Sequence, residues 1–425
     1  MITSPAFSGN SYAVLGLARS GLATVEALLA SGANVMAWDE RAEARAALPS
    51  SVRVADPLGT SIYGFSGVVV SPGVPLNRHP IAERARQAKV PLIGDIELFA
   101  EARASLPPHK VVGITGTNGK STTTALVHHI LKSGGVPTTM GGNIGLPILA
   151  QKPLPDGGVY VLELSSYQID LTQSLDCDVS VLLNVTPDHL DRYDGMDDYA
   201  ASKARLFAMQ SPAHVAVIAR DDDYTRAVAG QLIGERILVS AADVKDQSSW
   251  PALQGPHNAQ NVAAAVAVAQ ALGLDEEVIA AALATYPGLP HRMERVAEKD
   301  GVLFVNDSKA TNPTSTAPAL AAYPAVHWIV GGLAKSDELD ACAPYLDHVR
   351  AAYTIGEAGP MFARLLRNKI SVSECEVLEQ AVGAAAASAK PGETVLLSPA
   401  CASFDQFKDY ESRGEAFRAL VEALT

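Results

Sequence analysis

Short apolar runs recur along the chain with little polar alternation. They are YAVLGL from Tyr12, VVGITG from Val111, VYVLEL from Val159, VSVLLNV from Val179, AVIA from Ala216, VLFVND from Val302, WIVGG from Trp328 and TVLLSPA from Thr394. A strand with one wet face would alternate; these runs predict strands buried on both faces, as in parallel sheets covered by helices. Amphipathic or alanine-rich helical stretches lie between them. The expected class is α/β, doubly wound.

Two breaks interrupt the pattern. In ASLPPHK, Pro107 and Pro108 part a helical segment from a strand near Lys110, and in TYPGLPHRMER, Pro287, Gly288 and Pro290 end an alanine-rich helix. A length of 425 residues suits two to four domains. The breaks divide it into 1–108, Rossmann-like; 109–290, a central P-loop domain; and 291–425, a third Rossmann-like α/β domain. No fixed-period repeat is evident.

Composition narrows the function classes. Hydrophobic residues make up 48% of the chain and charged ones 19%, enough for packed cores. The net charge is −13 with no dense Lys or Arg run, which argues against tracking a nucleic-acid backbone. Any bound phosphate must be held by backbone amides and a few placed cations. Four cysteines without a CxxC pair suit reduced thiols. The opening MITSPAFSGNSY lacks the basic and apolar parts of a signal peptide, and the longest apolar stretch, Val262 to Ala269, is too short to span a bilayer. A cytoplasmic protein without membrane insertion is expected, and a monomer.

The segment Val111 to Thr124, VVGITGTNGKSTTT, carries the clearest chemistry. A strand enters a turn with Gly116, Thr117, Asn118 and Gly119, and Lys120-Ser121-Thr122 opens a helix. Glycines let N–H groups converge on phosphate oxygens, and the helix start favours the same anion. Lys120 can reach the β/γ-phosphates of ATP and the Ser121 hydroxyl can ligate Mg²⁺. The strict G-x-x-x-x-G-K-[ST] pattern wants glycine at 114, where Ile114 stands.

Further residues follow at strand ends. Glu163 closes VYVLEL, at the edge where ligands of doubly wound sheets collect, and could hold Mg²⁺. His189 and Asp191 lie in the loop after VSVLLNV, where an imidazole could serve a second ion. Lys203 falls in a helical segment, DDYAASKARLF, and nothing in its own surroundings selects it.

TGTNGKSTT, GGNIG, LELSSYQ, NVTPDHLDR, GPHNAQN, GLPHRME and NDSKATNP follow one another in an order and spacing that resembles the Mur ligase family over nearly the whole chain. The tail LSPACASFDQF is similar to the member that adds D-glutamate to UDP-N-acetylmuramoyl-L-alanine. The resemblance implies a ligase that phosphorylates the substrate carboxylate with ATP, after which the D-glutamate amine displaces phosphate. It implies Lys120 and Ser121 at the ATP phosphates, Glu163 and His189 on Mg²⁺ (two ions), and Lys203 as a carbamylated lysine whose new carboxylate helps hold metal. It places Asn258 and Asn261 near adenine, Arg292 at the γ-phosphate, Asp307 at the ribose, Lys309 and Thr311 beside the reacting groups, and Asn143 near the acyl or sugar portion.

The first segment reads as strand, turn, helix, strand. Gly16 and Gly21 fit a dinucleotide fingerprint, but Ala18 replaces its middle glycine, and Asp39 follows the second strand. Alone this suggests NAD. The resemblance implies UDP instead, near Gly16, Leu17, Ala18, Arg19, Asp39 and Ser71-Pro72-Gly73. Near the end, PACASFDQFKDYESRGEAFRALVEAL reads as a helix with Ser403 and Gln406 as an S-x-x-Q capping box. The resemblance implies that Ser403, Phe404, Lys335 and Tyr410 meet D-glutamate; the family pattern has Phe where this chain has Tyr410. Alternatives are a sibling ligase for another amino acid or for folate, a nucleotide-binding regulator, and an NAD-dependent oxidoreductase.

Overall fold

The computed structural model describes residues 1–424. Three sheets organise the chain. The first has β1 (Ser11–Leu15), β2 (Asn34–Trp38), β3 (Arg53–Val54), β4 (Gly67–Val70) and β5 (Leu92–Ile93) in the order 3-2-1-4-5, all parallel. The second has β6 (His109–Thr115), β7 (Thr138–Gly142), β8 (Gly158–Glu163), β9 (Val179–Leu182), β10 (Val215–Ala219) and β11 (Arg236–Val239) in the order 11-10-9-6-8-7, also all parallel. The third has β12 (Glu294–Lys299), β13 (Val302–Asn306), β14 (Val326–Gly331), β15 (Val349–Ile355), β16 (Ser371–Glu376) and β17 (Thr394–Leu397) in the order 12-13-17-14-15-16. There β12 alone runs antiparallel, joined to β13 by Asp300-Gly301 with both φ positive, the geometry of a tight two-residue hairpin.

The apolar runs became the inner strands. Every residue of β4, β8, β9, β14 and β17 is buried. Parallel strands need helical crossovers on both faces, so a run with no wet side is the pattern such a sheet leaves in sequence. The edge strands β3, β12 and β16 carry Arg or Glu and short apolar content (RV, ERVAEK, SVSECE), which is how exposed edges resist pairing with other chains.

The chain divides into two compact units, Met1–Asp243 with Gln260–Leu283, and Val244–Ala259 with the chain from Ala284 onward. The first two sheets lie in the first unit and the third sheet in the second. The helix Pro256–Ala271 begins in one and continues in the other. No helix among the described residues is long and apolar enough to cross a membrane.

Two features place the site. In the second sheet β6 and β9 are neighbours whose chains leave in opposite directions, which makes the carboxyl edge between them the switch point where doubly wound sheets bind ligands. In the third sheet β17 returns between β13 and β14, which brings the loops after all three together.

Candidate active site

In the first unit the turn after β6 is shaped by its glycines. Gly116 has φ 148° and Gly119 φ 84°. A Cβ on Gly119 would stand 2.2 Å from Asn261 Oδ1, and one on Gly116 would meet Leu183 Cβ at 3.0 Å and Asn184 N at 3.2 Å. Only glycine suits either place. The helix Lys120–Ser133 then begins, with Ser121 buried in its first turn and Thr122 half-buried beside it.

The loop after β9 holds this turn in place. Asn184 O accepts from Thr117 N at 2.9 Å, and Asn184 Oδ1 accepts from Asn118 N at 2.8 Å. Asn184 Nδ2 donates to Asn118 O and to Gln260 Oε1. Thr117 Oγ1 donates to Thr186 O at 3.2 Å and contacts Tyr199 Oη at 3.2 Å. Asn184 opens the NVTPDHLDR motif, and the motif alone assigns it no role. Its signal is an amide side chain at a strand end beside a phosphate turn, able to bond a backbone N–H and C=O together.

Cations gather at the same turn. Lys120 Nζ donates to Gly116 O (2.9 Å) and Thr117 O (2.7 Å), so the side chain folds back over the loop. Lys203, on the helix Gly195–Ala208, is 1% exposed, and its Nζ donates to the same Gly116 O at 3.0 Å while lying 4.4 Å from the Tyr199 ring centroid. Burial first, and the nearby Lys120 second, push the Lys203 ammonium well below the usual lysine range. A buried lysine amine held neutral is a nucleophile.

Glu163, the last residue of β8, is buried. Its Oε1 accepts from Asn143 Nδ2 at 2.7 Å; its Oε2 is buried without a hydrogen-bond partner. A carboxylate oxygen so placed suits a cation. Gly142 (φ 85°) lets the chain pass so close that an added Cβ would lie 2.2 Å from Glu163 O. His189 sits in the loop after β9 with φ 55° and Nε2 3.3 Å from Asp188 Oδ2; its ring is 5.0 Å from Tyr167. Burial and the facing Lys203 and Lys120 favour the neutral imidazole against the pull of Asp188. Asn261, buried on the helix Pro256–Ala271, accepts from Thr123 Oγ1 at 3.2 Å. Asn258, one turn earlier and also buried, donates to Gln254 O at 3.0 Å.

The uridine-side candidates converge at the carboxyl ends of β1, β2 and β4. Gly16 has φ 92°, and Ser71 Oγ donates to Gly16 O at 3.0 Å. Gly21 packs so tightly that a Cβ would lie 1.9 Å from Gly16 O. Asp39 Oδ2 accepts from Leu17 N at 2.7 Å, and its Oδ1 accepts from Arg41 N and Nε at 3.0 Å each. The Arg41 guanidinium holds the Asp39 carboxyl far below the usual range. Arg41 was not singled out in sequence; an Arg two residues past a strand-end Asp was the available sign. Ala18 caps the following helix with extended backbone, Arg19 Nη2 donates to Gly145 O at 3.0 Å, and Gly73 is exposed.

In the second unit Arg292 sits on a kink. His291 and Met293 flank it with φ 61° and 49°. The loop after β13 fixes both flanks: Lys309 N donates to His291 O at 3.0 Å, and Met293 N donates to Asp307 Oδ1 at 3.2 Å. Asp307 is buried and its Oδ2 accepts from Ser398 Oγ at 2.7 Å; burial raises its carboxyl to about 7. Both of its oxygens are thus engaged within the unit. Thr311 directly precedes Asn312, whose side chain caps the helix Pro313–Ala321 reciprocally with Ser315.

The amino-acid candidates lie on the loops after β14 and β17 and at the start of the last helix, where Tyr410 is the first residue. Leu333 and Ala402 exchange backbone hydrogen bonds of 2.9 and 3.0 Å, tying the Lys335 loop to the Ser403 loop. Ser403 is buried, whereas Phe404 and Lys335 are exposed. Arg413, 1% exposed, donates to Ser308 O (2.8 Å), Cys401 O (3.0 Å) and Ala402 O (3.2 Å), joining the loops after β13 and β17. Burial lowers its guanidinium to about 10. It too was missed: in sequence it is one Arg among several on an amphipathic helix.

One expectation is corrected. Ser403 and Gln406 do not cap a helix. The helix spans Tyr410–Ala423 and its cap is Asp409, which accepts from Ser412 N at 2.7 Å. Ser403 offers its backbone O to Gln406 N (3.1 Å) and Phe407 N (2.8 Å) in a turn, and the Gln406 amide donates to Glu376 O. The S-x-x-Q spacing does cap a helix elsewhere, at Ser165 and Gln168.

Comparison with known proteins adds the family. Residues 10–94 match the Mur ligase MurD-like N-terminal domain, 114–252 the Mur ligase middle domain, and 291–401 the Mur ligase glutamate ligase domain. A protein of Novosphingobium aromaticivorans named UDP-N-acetylmuramoylalanine--D-glutamate ligase is 65% identical over 100% of this chain and 97% of its own. Proteins of that name from Sphingopyxis alaskensis and Zymomonas mobilis are 63% and 59% identical over the full length of both chains.

The chain belongs to the Mur ligase family. The three-domain α/β architecture of Mur ligases agrees with solved structures: MurF ligase from Thermotoga maritima in complex with ADP aligns with TM-score 0.63 at 18% identity, covering 98% of this chain and 95% of that one. MurF from Acinetobacter baumannii aligns with TM-score 0.59 at 20% identity, covering 98% and 91%. Mur ligases use ATP and Mg²⁺. In this Mur ligase the P-loop backbone, Lys120 and Ser121 fit the nucleotide, and the orphan Glu163 oxygen fits the cation.

Proposed function

We propose that this chain joins D-glutamate to UDP-N-acetylmuramoyl-L-alanine, using ATP, in the cytoplasm as a step of peptidoglycan precursor synthesis. The observation that carries the chemistry is the cluster around Gly116. Its carbonyl receives both Lys120 and Lys203, and at the end of the neighbouring strand β8 Glu163 is buried with a spare oxygen. The relatives' names carry the choice of amino acid.

A carboxylate oxygen of the uridine-linked substrate attacks the γ-phosphorus, the bond to the β,γ-bridging oxygen breaks, and ADP leaves. The D-glutamate amine then adds to the acyl carbon, loses a proton, and the tetrahedral centre expels inorganic phosphate. Phosphoryl transfer needs placement and charge neutralisation more than covalent help from protein. The amides of Gly116–Lys120 orient the triphosphate, and the Lys120 ammonium offsets its charge. Arg292, held on its kink by residues of positive φ, suits the developing charge on the transferred group. Ser121, Glu163, His189 and Lys203 would hold Mg²⁺, which when bound neutralises phosphate oxygens.

Lys203 fits that set after carbamylation. Its neutral amine adds to CO2, a C–N bond forms and one proton is released. The cation that would repel metal becomes an oxygen ligand. On the acceptor side, Ser403 and Lys335 suit the carboxylates of D-glutamate, and Lys309 the reacting groups. Mass spectrometry tests the whole reading: with ATP, Mg²⁺, UDP-N-acetylmuramoyl-L-alanine and D-glutamate, the amide product and phosphate form in equal amounts. Product only with L-alanine, L-glutamate or a diamino acid would replace D-glutamate as the substrate.

A further inference from the structure

The Lys309 ammonium donates a 2.9 Å hydrogen bond to Tyr410 Oη and lies 4.5 Å from the centroid of the same ring. A lysine has a four-carbon stem with many rotamers, and ordering it in one of them carries an entropy cost. Tyr410 is itself well placed to order it. It is the first residue of the helix Tyr410–Ala423, and its backbone O accepts from Ser308 Oγ at 2.8 Å. Ser308 Oγ in turn accepts from Arg413 Nε at 3.0 Å, and Arg413 also binds Cys401 O and Ala402 O. The Tyr410 backbone is therefore tied to the loop bearing Lys309, and through Arg413 its helix is tied to the loop bearing Ser403. Phenylalanine could supply the ring contact but not the hydroxyl.

We propose that Tyr410 is a positioning and specificity-determining residue, whose hydroxyl sets the Lys309 ammonium as a fixed positive charge for an acidic amino acid. This rests on the ligase reading above and deepens it. An anion meeting an ammonium already held by a hydroxyl and a ring face gives up less side-chain freedom than one that must order the lysine itself. Burial, with Glu411 adding to it, keeps the phenol protonated, so its oxygen stays a neutral acceptor for Lys309.

The test is steady-state amide formation by the full chain and by Tyr410→Phe, with each of the three substrates varied in turn. A lost hydrogen bond to a charged group predicts a KM for D-glutamate about tenfold higher in Tyr410→Phe. The KM values for ATP and the uridine substrate, and the thermal unfolding midpoint, stay unchanged. A D-glutamate KM within twofold of the parent overturns the proposal. So does a parallel rise of all three KM values with a lower unfolding midpoint, which marks a structural role. Absence of amide product from the parent chain itself would instead defeat the ligase reading beneath it.

Discussion

At the scale of single residues, two buried ionisable groups make the sharpest commitments. Lys203 is nearly inaccessible yet shares a carbonyl with a second lysine, an arrangement that disfavours two ammonium ions. Neutral or carbamylated, it avoids that conflict. Lys203→Ala should lower ligation on the order of 100-fold, with short carboxylic acids restoring part of the rate; full activity without added acid refutes the carbamate. Asp307 commits differently, because burial raises its carboxyl from the ordinary value near 3.8 to about 7. A raised carboxyl favours the protonated folded state, so its stabilising contribution is complete below the unfolded value and disappears as pH climbs through 7. Asp307→Asn removes that titration. The loss of unfolding midpoint between pH 5 and pH 8 should be smaller in the variant, and an identical pH profile in both proteins would show that Asp307 ionises without cost.

At the scale of elements, inner strands were legible and the start of the last helix was not. Runs such as VYVLEL and TVLLSPA have no wet face to encode, so composition alone marks them as parallel inner strands. The helix start was misjudged because S-x-x-Q and D-x-x-S both offer a side-chain acceptor three residues ahead of a donor. Local geometry decides between them: Ser403 to Phe407 close into a turn, and the helix starts only at Tyr410 behind Asp409. Asp409→Ala should lower the unfolding midpoint, whereas Ser403→Ala should leave it near that of the parent; the reverse order would restore the earlier helix start. The glycine that ends β14 is equally demanding. Gly331 has φ 128°, and a Cβ there would lie 2.0 Å from Ile355 O. Backbone cannot yield as a flexible side chain does, so Gly331→Ala should cost about 2 kcal/mol or more in urea unfolding.

At the scale of the whole molecule, the order of motifs was legible because most of them, TGTNGKSTT, GGNIG, LELSSYQ, NVTPDHLDR, NDSKATNP and LSPACASFDQF, lie at the carboxyl end of a strand, where α/β folds bind ligands. Their partners were not legible. Asn184 and Arg413 act through backbone atoms of residues distant in sequence, and no spacing rule encodes such contacts; Arg41 bonds the Asp39 carboxylate only two residues away, a pairing the spacing did offer. The division of labour implies a last experiment. The phosphate turn, Glu163 and Lys203 lie in one compact unit, while Lys309, Lys335 and Ser403 lie in the other. If the first set makes the acyl phosphate and the second receives the amine, the two half-reactions separate by mutation. Lys120→Ala should give neither acyl phosphate nor amide, whereas Ser403→Ala should still form acyl phosphate, trapped as a hydroxamate by hydroxylamine, while losing amide at low D-glutamate. Oxygen-18 placed in the substrate carboxyl should reach the released phosphate in every variant that turns over. Hydroxamate lost equally in both variants would mean that the amino-acid loops are needed to activate the carboxylate, and that the two half-sites work only as one.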